Sequence, residues 1–321
     1  MFYRHLARHC LERRSGEGFA HIGVLRAFEE AGIPIDHIGG TSMGSVIAAQ
    51  YAAGVTPAAM LAVNRLWEKH TPMRDLTLPA IALVSGTSGL AMLETMFGDR
   101  RIEDLWLDYF CVSANLTRSE IVVHDHGPLR QWVRASIAIP GIVAPLRLDN
   151  GDLLVDGAIL NNMPADVMRA RGVGHTVAVD LTPPEAFPTD DYTDQPTTWQ
   201  ALRLLSSTWL RLGTPVRSPT LLSILFRTTL AASRALSERL KHEVDLYIAP
   251  PLDGIGLFDW NAVARVADIG YRATQRRLVE WPAPGRTPRT TPVARKGNTR
   301  ALRRTGKPDA QHTAGRSRRS G

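Results

Sequence analysis

The sequence lacks the features that mark secreted and membrane-spanning proteins. Only two of its 321 residues are cysteines, Cys10 and Cys111, so we expect neither a disulfide framework nor a cysteine-based metal site. No apolar run approaches the roughly 18 residues that a membrane-spanning helix needs. The first residues lack the apolar core of a secretory signal. These absences predict a cytoplasmic protein.

Positive charge is concentrated at the C-terminal end. Residues 282–321 carry eleven Arg or Lys and one acid, Asp309, whereas the whole chain carries a net charge of +7. This stretch has almost no large apolar residue and buries too little surface to offset its ordering entropy, so we expect a disordered basic tail. Such a tail could contact anionic lipid or nucleic acid. A solvated tail is the favoured interpretation, and no specific nucleic-acid partner is predicted.

Strand-like apolar runs alternate with helix-like runs along most of the chain. The patterns predict strands at residues 34–38, 109–114, 121–124, 153–155, 176–180 and 245–249. They predict helices at residues 19–31, 43–53, 57–69, 89–97, 129–137, 164–171, 198–212, 219–240 and 259–281. This alternation predicts one sizeable α/β domain with helices on both faces of a sheet.

A Gly-x-Ser-x-Gly pattern at residues 40–44 is the strongest candidate for a catalytic motif. A serine at a tight strand-to-helix turn presents its hydroxyl beyond the sheet, where a substrate carbonyl can reach it. The five residues alone fit equally well a glycine-rich turn with a capping serine. The flanking strand and the small, apolar helix after Met43 favour the nucleophile turn, with Ser42 as the nucleophile.

A serine hydroxyl needs a neighbouring group that accepts its proton. Five histidines follow the turn, and for each of them a surface or structural role is favoured: His70, His124, His126, His175 and His242. Asp156 is better placed, because it ends an apolar strand at the edge where open α/β sheets bind ligands. In isolation, Asp156-Gly157 would be interpreted as a turn pair.

Three segments together resemble the patatin-like phospholipase family, in particular bacterial members similar to the catalytic region of neuropathy target esterase. They are residues 19–54 around Ser42, residues 134–145 (RASIAIPGIVAP) and residues 152–168 around Asp156. The resemblance runs from about Gly18 to Trp281, and its motifs occur in the family's order and context. It implies a three-layer fold with a mainly parallel central sheet and helices on both faces.

The resemblance also implies a chemistry. Ser42 would be the nucleophile and Asp156 would accept its proton directly, supported by Gly157, Ala158 and Asn162. The reaction would be hydrolysis of a fatty-acyl ester of a phospholipid or lysophospholipid through an acyl-enzyme, without a metal or other cofactor. Burial could raise the pKa of Asp156 above its reference value of about 3.9. Peripheral contact with an anionic membrane is left open.

The chain departs from the family pattern before residue 19. The family's glycine-rich loop, whose amides form the oxyanion hole, corresponds here to residues 13–18, and only Gly18 falls on a family glycine. Glu17 stands where a cation is usual, and a carboxylate there would oppose a developing oxyanion. The candidates for the oxyanion hole and the nucleophile turn are Gly16, Gly18, Gly40, Met43 and Gly44.

The family's first strand is not predicted either. Phe2, Leu6 and Cys10 have helical spacing and no buried run accompanies them, so we expect this strand to be missing or altered. The hypothesis is that a shifted reading frame or a misassigned start changed the N-terminus. The predicted organisation is an atypical segment over residues 1–17, a hydrolase domain over residues 18–281 and the basic tail over residues 282–321.

Three functions stay open at this point. The first is a serine lipid acyl hydrolase, and the second is a catalytically impaired lipid-binding homologue that lacks a working oxyanion hole. The third is an ordinary α/β-hydrolase with a Ser–His–Asp triad, although only 41 residues precede Ser42 and that fold has several strands before its nucleophile.

Several other residues could support or line a pocket, although packing and turn formation are equally favoured for them. Near the motifs these are Asn115, Thr117, Arg134, Ser136, Pro140, Asn161 and Asn162. In the two long helices predicted between residues 198 and 240, apolar side chains could cap an acyl pocket or touch a bilayer, with core packing as the default: Trp209, Leu221, Leu222 and Phe226.

Overall fold

A computed structural model describes residues 7–11, 17–65, 82, 84–172, 174–181, 221–252 and 262–281. For residues 7–11 and 221–227 it describes the backbone alone. All of these residues belong to one compact unit. Within them, no helix has the length and apolar character needed to cross a bilayer. The predicted helix at 198–212, Trp209, the side chains of Leu221, Leu222 and Phe226, and the predicted basic tail lie outside the described part.

The described chain forms eight strands and eight α-helices. The strands are β1 (Ala7–Leu11), β2 (Ile35–Thr41), β3 (Asp108–Asn115), β4 (Glu120–His124), β5 (Leu146–Arg147), β6 (Leu153–Asp156), β7 (His175–Val179) and β8 (Leu246–Ile248). The helices are α1 (Ala20–Glu30), α2 (Met43–Ala52), α3 (Pro57–Asn64), α4 (Thr87–Phe97), α5 (Leu129–Ser136), α6 (Ala165–Ala170), α7 (Leu221–Leu240) and α8 (Val263–Glu280). Short 3-10 turns cover Glu17–Phe19, Ile102–Asp104 and Gly157–Ile159.

All eight strands join one mixed sheet, in the order β5-β6-β3-β2-β1-β7-β8, with β4 paired to β3. The five strands from β3 through β2, β1 and β7 to β8 are parallel, and the pairs of β3 with β4, β3 with β6 and β5 with β6 are antiparallel. Apolar side chains alternate between the two faces. In β7, Val177 and Val179 pack with α1, α2 and α8, whereas Ala178 packs with α6 and α7. The expected α/β fold with helices on both faces is therefore confirmed.

The first strand was expected to be missing or altered, and the expectation that it is missing was wrong. Strand β1 lies in the middle of the sheet and pairs in parallel with β2 on one side and with β7 on the other. Its backbone fills the position between these two strands, where an empty slot would leave two rows of backbone donors and acceptors unpaired. The spacing of Phe2, Leu6 and Cys10 misled because pairing with distant strands overrides local periodicity. The predicted domain bounds remain a prediction.

Strands β2 and β6 meet end to end along one edge of β3. Strand β2 pairs with residues 108–112, β6 pairs with residues 113–115, and β4 pairs with residues 111–115. Because β4 overlaps both partners, it must occupy the opposite edge of β3, and β2 and β6 share the remaining edge. Thr41 is opposite Val112 and Asp156 is opposite Ser113. The C-terminal ends of β2 and β6 therefore converge.

Helices α1 and α8 cross in close contact through one glycine on each. A Cβ atom on Gly23 of α1 would lie 1.8 Å from the Ala267 carbonyl oxygen. A Cβ atom on Gly270 of α8 would lie 2.1 Å from the Ala20 carbonyl oxygen. Real Cβ atoms do not approach backbone so closely, so any side chain here would force the two helices apart.

We expect the Gly23→Ala substitution to destabilise the fold by about 1–3 kcal/mol, because the two backbones must separate. The free energy of unfolding in urea would measure the loss. Gly89→Ala is the matched control, since Gly89 lies inside α4 and an added Cβ meets nothing within 4 Å. The control should be neutral or stabilising by up to about 1 kcal/mol. Equal effects of the two substitutions would contradict the close crossing.

Candidate active site

Ser42 occupies a strained turn between β2 and α2. Its backbone has φ 56° and ψ −130°, in the region that non-glycine residues rarely adopt. The strand packs tightly on the following helix, because a Cβ atom on Gly40 would lie 2.6 Å from the carbonyl carbon of Gly44. Ser42 begins the helix without a side-chain cap, so its hydroxyl is free for another partner. The pattern that predicted a nucleophile turn thus coincides with the strained geometry that such turns have.

The partner of the Ser42 hydroxyl is Asp156. Ser42 Oγ donates a hydrogen bond to Asp156 Oδ2 over 2.7 Å, and Asp156 is fully buried. The other carboxylate oxygen, Oδ1, accepts a hydrogen bond of 2.9 Å from the backbone N–H of Ala158. This bond fixes the orientation of the carboxylate at the start of the Gly157–Ile159 turn. The arrangement places a proton acceptor in direct contact with a serine hydroxyl.

The last residue of α5 and the segment after it contact both Ser42 and Asp156. Ser136 Oγ accepts a hydrogen bond of 3.0 Å from the backbone N–H of Ser42 and donates one of 2.8 Å to the Val112 carbonyl of β3. The Ala138 carbonyl accepts a hydrogen bond of 2.9 Å from the backbone N–H of Asp156. In the sequence, Ser136 was only one of several candidates for support of a pocket. The sequence signal for this role of Ser136 was a serine at a helix end inside an apolar run.

The loop after Asp156 is anchored on two sides. Thr41 Oγ1 donates to the Asn161 carbonyl over 3.0 Å, which ties the loop to the end of β2. The backbone N–H of Asn162 donates to Ser233 Oγ of α7 over 2.7 Å. Asn161 Nδ2 donates to Asp166 over 2.8 Å. These contacts involve the side chain of Asn161 but only the backbone of Asn162, and a supporting role of either asparagine in the reaction stays a prediction. The contact of Ser233 was missed because its partner is 71 residues away in sequence.

The structure describes some, but not all, of the residues predicted to form the oxyanion hole. Gly18 lies against Met43, since a Cβ atom on it would come within 2.2 Å of Met43 Cγ. The start of α2 therefore faces the Glu17–Phe19 turn, and its first N–H groups lie beside Ser42. Glu17 is fully buried in that turn. Gly16 lies outside the described residues.

Three of the four described histidine candidates have side-chain contacts with groups other than the Ser42 hydroxyl. His124 Nε2 is 2.7 Å from Ser113 Oγ, and its ring stacks on Trp132. His126 contacts Asp125, and His175 lies 3.5 Å from Asp245. The backbone N–H of His242 closes the end of α7 on Arg239. His70 lies outside the described residues.

The remaining candidates shape turns and surfaces. Asn115 Oδ1 accepts from the backbone N–H of Thr117, and Thr117 Oγ1 accepts from that of Leu153, so both order the β3–β4 turn. Arg134 is half-buried, and burial lowers the pKa of its guanidinium. Pro140 lies in the turn after α5. Within the described chain, no cluster of three or more His, Cys, Asp or Glu side chains could hold a metal ion.

The pH dependence of stability should reveal the buried state of His124. Burial lowers its pKa from 6.5 to about 4, so between these values the unfolded chain binds a proton that the folded chain does not. Above pH 6.5 this histidine is neutral in both states and the free energy of unfolding is at its full value. As the pH falls from 6.5 towards 4, the free energy of unfolding decreases by about 3 kcal/mol at most.

We therefore expect His124→Gln to flatten the fall in the free energy of unfolding between pH 7 and pH 5, because glutamine does not titrate. Urea unfolding of the variant and the wild type at both pH values measures this. His126→Gln is the control, since that side chain is 82% exposed. A fall as steep in His124→Gln as in the control would contradict the assignment.

Comparisons with known proteins show which family this chain resembles. The family model described as patatin-like phospholipase matches residues 16–169. The lysophospholipase NTE1 of Candida albicans is 30% identical over 285 residues, which cover 87% of this chain and 20% of that protein. Human patatin-like phospholipase domain-containing protein 6 is 34% identical over 271 residues, or 82% of this chain and 20% of that protein. The chain thus spans about a fifth of the length of these curated relatives.

The Drosophila melanogaster neuropathy target esterase sws is 33% identical over 261 residues, which cover 79% of this chain and 18% of that protein. Among solved structures, VipD from Legionella pneumophila aligns with 87% of this chain and 67% of its own, with 16% identity and a TM-score of 0.45. The family assignment comes from the sequence matches.

Proposed function

Since this chain belongs to the patatin-like phospholipase family, we propose that it is a serine hydrolase of lipid acyl esters with Ser42 and Asp156 as its catalytic dyad. The observation that carries the proposal is the 2.7 Å hydrogen bond from Ser42 Oγ to Asp156 Oδ2 at a strained strand-to-helix turn. Both groups are withdrawn from solvent, which strengthens the electrostatic interaction between them.

In the acylation step, Asp156 Oδ2 accepts the hydroxyl proton while Ser42 Oγ attacks the ester carbonyl. The oxygen–carbon bond that forms gives a tetrahedral intermediate with a negative oxygen. When this intermediate collapses, the bond to the leaving alcohol breaks, and Asp156 returns its proton to the departing oxygen. The products are the free alcohol and an ester of the fatty acid on Ser42. Fixed geometry allows a carboxylate to act as base here although its intrinsic basicity is low.

Deacylation repeats the same steps with water. Asp156 accepts a proton from a water molecule whose oxygen attacks the acyl carbonyl, and the bond between that carbon and Ser42 Oγ then breaks. Asp156 returns the proton to Ser42 Oγ, and the fatty acid leaves. One carboxylate thus serves as base and then as acid in each half of the cycle, so no histidine is required.

The proposed substrates are phospholipids or lysophospholipids. The support for this class is the family and the printed name of one relative, a lysophospholipase. We also propose that the protein works in the cytoplasm and meets its substrate at the surface of a membrane. The net positive charge of residues 282–321 supports attraction to anionic lipid.

Replacement of either dyad residue tests the proposal. Ser42→Ala and Asp156→Asn should each lower fatty-acid release from lysophosphatidylcholine by about 10³-fold or more, because each removes an atom that takes part in bond making. A fluorophosphonate probe should label the wild type and fail to label Ser42→Ala. His124→Gln is the control and should keep its activity, since His124 bonds Ser113 and not Ser42.

Two other outcomes would overturn the proposal in favour of its alternatives. A folded wild-type chain that binds lysophospholipid vesicles but neither labels nor releases fatty acid would indicate an impaired lipid-binding protein. The carboxylate of Glu17, at the position of a cation in the family, favours this alternative. Loss of activity in His175→Ala or His242→Ala, with activity kept in Asp156→Ala, would indicate a Ser–His–Asp triad.

A further inference from the structure

We propose that Ser136 is a positioning residue, and that the segment from Ser136 to Ala138 sets the distance between the nucleophile and its base. This inference rests on the proposed function, because it assigns a role within the Ser42–Asp156 reaction. The observation that carries it is that one short segment bonds the backbone of both residues. Ser136 Oγ accepts from the N–H of Ser42, and the Ala138 carbonyl accepts from the N–H of Asp156.

The hydrogen-bond directions at Ser136 are unambiguous. The backbone N–H of Ser42 can only donate, so Ser136 Oγ is the acceptor of that 3.0 Å bond. The Val112 carbonyl can only accept, so the Ser136 hydroxyl hydrogen points to it across 2.8 Å. Both partners therefore fix the rotamer of a serine that is fully buried. The hydroxyl links the strained turn to the central strand β3.

The second contact acts on the base. The N–H of Asp156 bonds the Ala138 carbonyl at the point where β6 ends. Ala138, which makes this contact, lies two positions after Ser136 in the chain. The segment is itself held in place, since the N–H of Ala138 bonds the Ala135 carbonyl and that of Ile139 bonds the Ile137 carbonyl. It therefore behaves as a rigid spacer between the two contacts.

A spacer is needed because β2 and β6 belong to different parts of the chain. Their ends converge along one edge of β3, but end-to-end strands share no ladder of hydrogen bonds with each other. The backbone of Ser42 is strained and relaxes towards common φ values if its neighbours allow it. With the Ser136 hydroxyl removed, the Ser42 N–H would lose the bond that opposes this movement. The Oγ–Oδ2 distance would then vary, and catalysis depends steeply on it.

Three full-chain variants test the proposal: Ser136→Ala, Ser136→Thr and Ser113→Ala. Ser113 is a matched control because it is an equally buried serine of β3 whose hydroxyl bonds His124 and not the dyad. Tm, kcat and KM for lysophosphatidylcholine, and the rate of fluorophosphonate labelling are measured for each. Ser136→Ala should lower kcat and the labelling rate by about 10- to 100-fold, with KM within about threefold of wild type.

Ser136→Thr retains a hydroxyl and should recover most of the lost kcat, whereas Ser113→Ala should lower Tm but keep kcat within about threefold. Ser136→Cys, which is nearly isosteric but a weak hydrogen-bonding partner, replaces Ser136→Ala if that variant does not fold, and should also lose kcat.

The inference is overturned if the folded Ser136 variant lowers Tm like Ser113→Ala and keeps the wild-type kcat and labelling rate. It is also overturned if KM alone changes. An inactive wild type would overturn the proposed function, and the inference with it, so the two failures are distinguishable.

Discussion

One edge of strand β3 organises the candidate site. Along that edge, β2 arrives in parallel and β6 arrives antiparallel, so their C-terminal ends point at each other across neighbouring positions of β3. Ser42 follows the end of the first strand and Asp156 ends the second. The separation of 114 residues in sequence becomes a hydrogen bond of 2.7 Å because register on a shared strand determines position.

The same register explains why so many polar groups can be buried around Ser42. A buried donor or acceptor is costly unless it is bonded, and here neighbouring segments supply the partners. Asp156 receives the Ser42 hydroxyl and the Ala158 amide, Ser136 bridges Ser42 to β3, and Thr41 bonds the loop after the carboxylate. These partners lie on β2, on α5 and in the turn after β6, and each of these elements contacts β3. These hydrogen bonds therefore tie the site to the sheet beneath it.

A structural feature could be predicted from the sequence when the residues that define it lie close together in the chain. The strained turn at Ser42 and the Asp-Gly step at Asp156 carry their signals within a few residues, and the structure joins the two side chains by a hydrogen bond. Strand β1 could not be predicted, because its identity comes from pairing with β2 and β7 and not from its own spacing. For the same reason Ser233 was not recognised, and the bond between Ser136 and the Ser42 backbone was not foreseen, since the partners are 71 and 94 residues away.

The bond between Ser136 and the amide of Ser42 also restricts where negative charge can be stabilised. In chymotrypsin-like enzymes, the nucleophile's own N–H is one of the oxyanion donors. Here that N–H already points into the protein interior, towards Ser136 Oγ. In the proposed reaction, the negative oxygen must therefore be stabilised by amides other than that of Ser42. The bond that holds the nucleophile in place thus occupies the donor that those enzymes use for charge stabilisation.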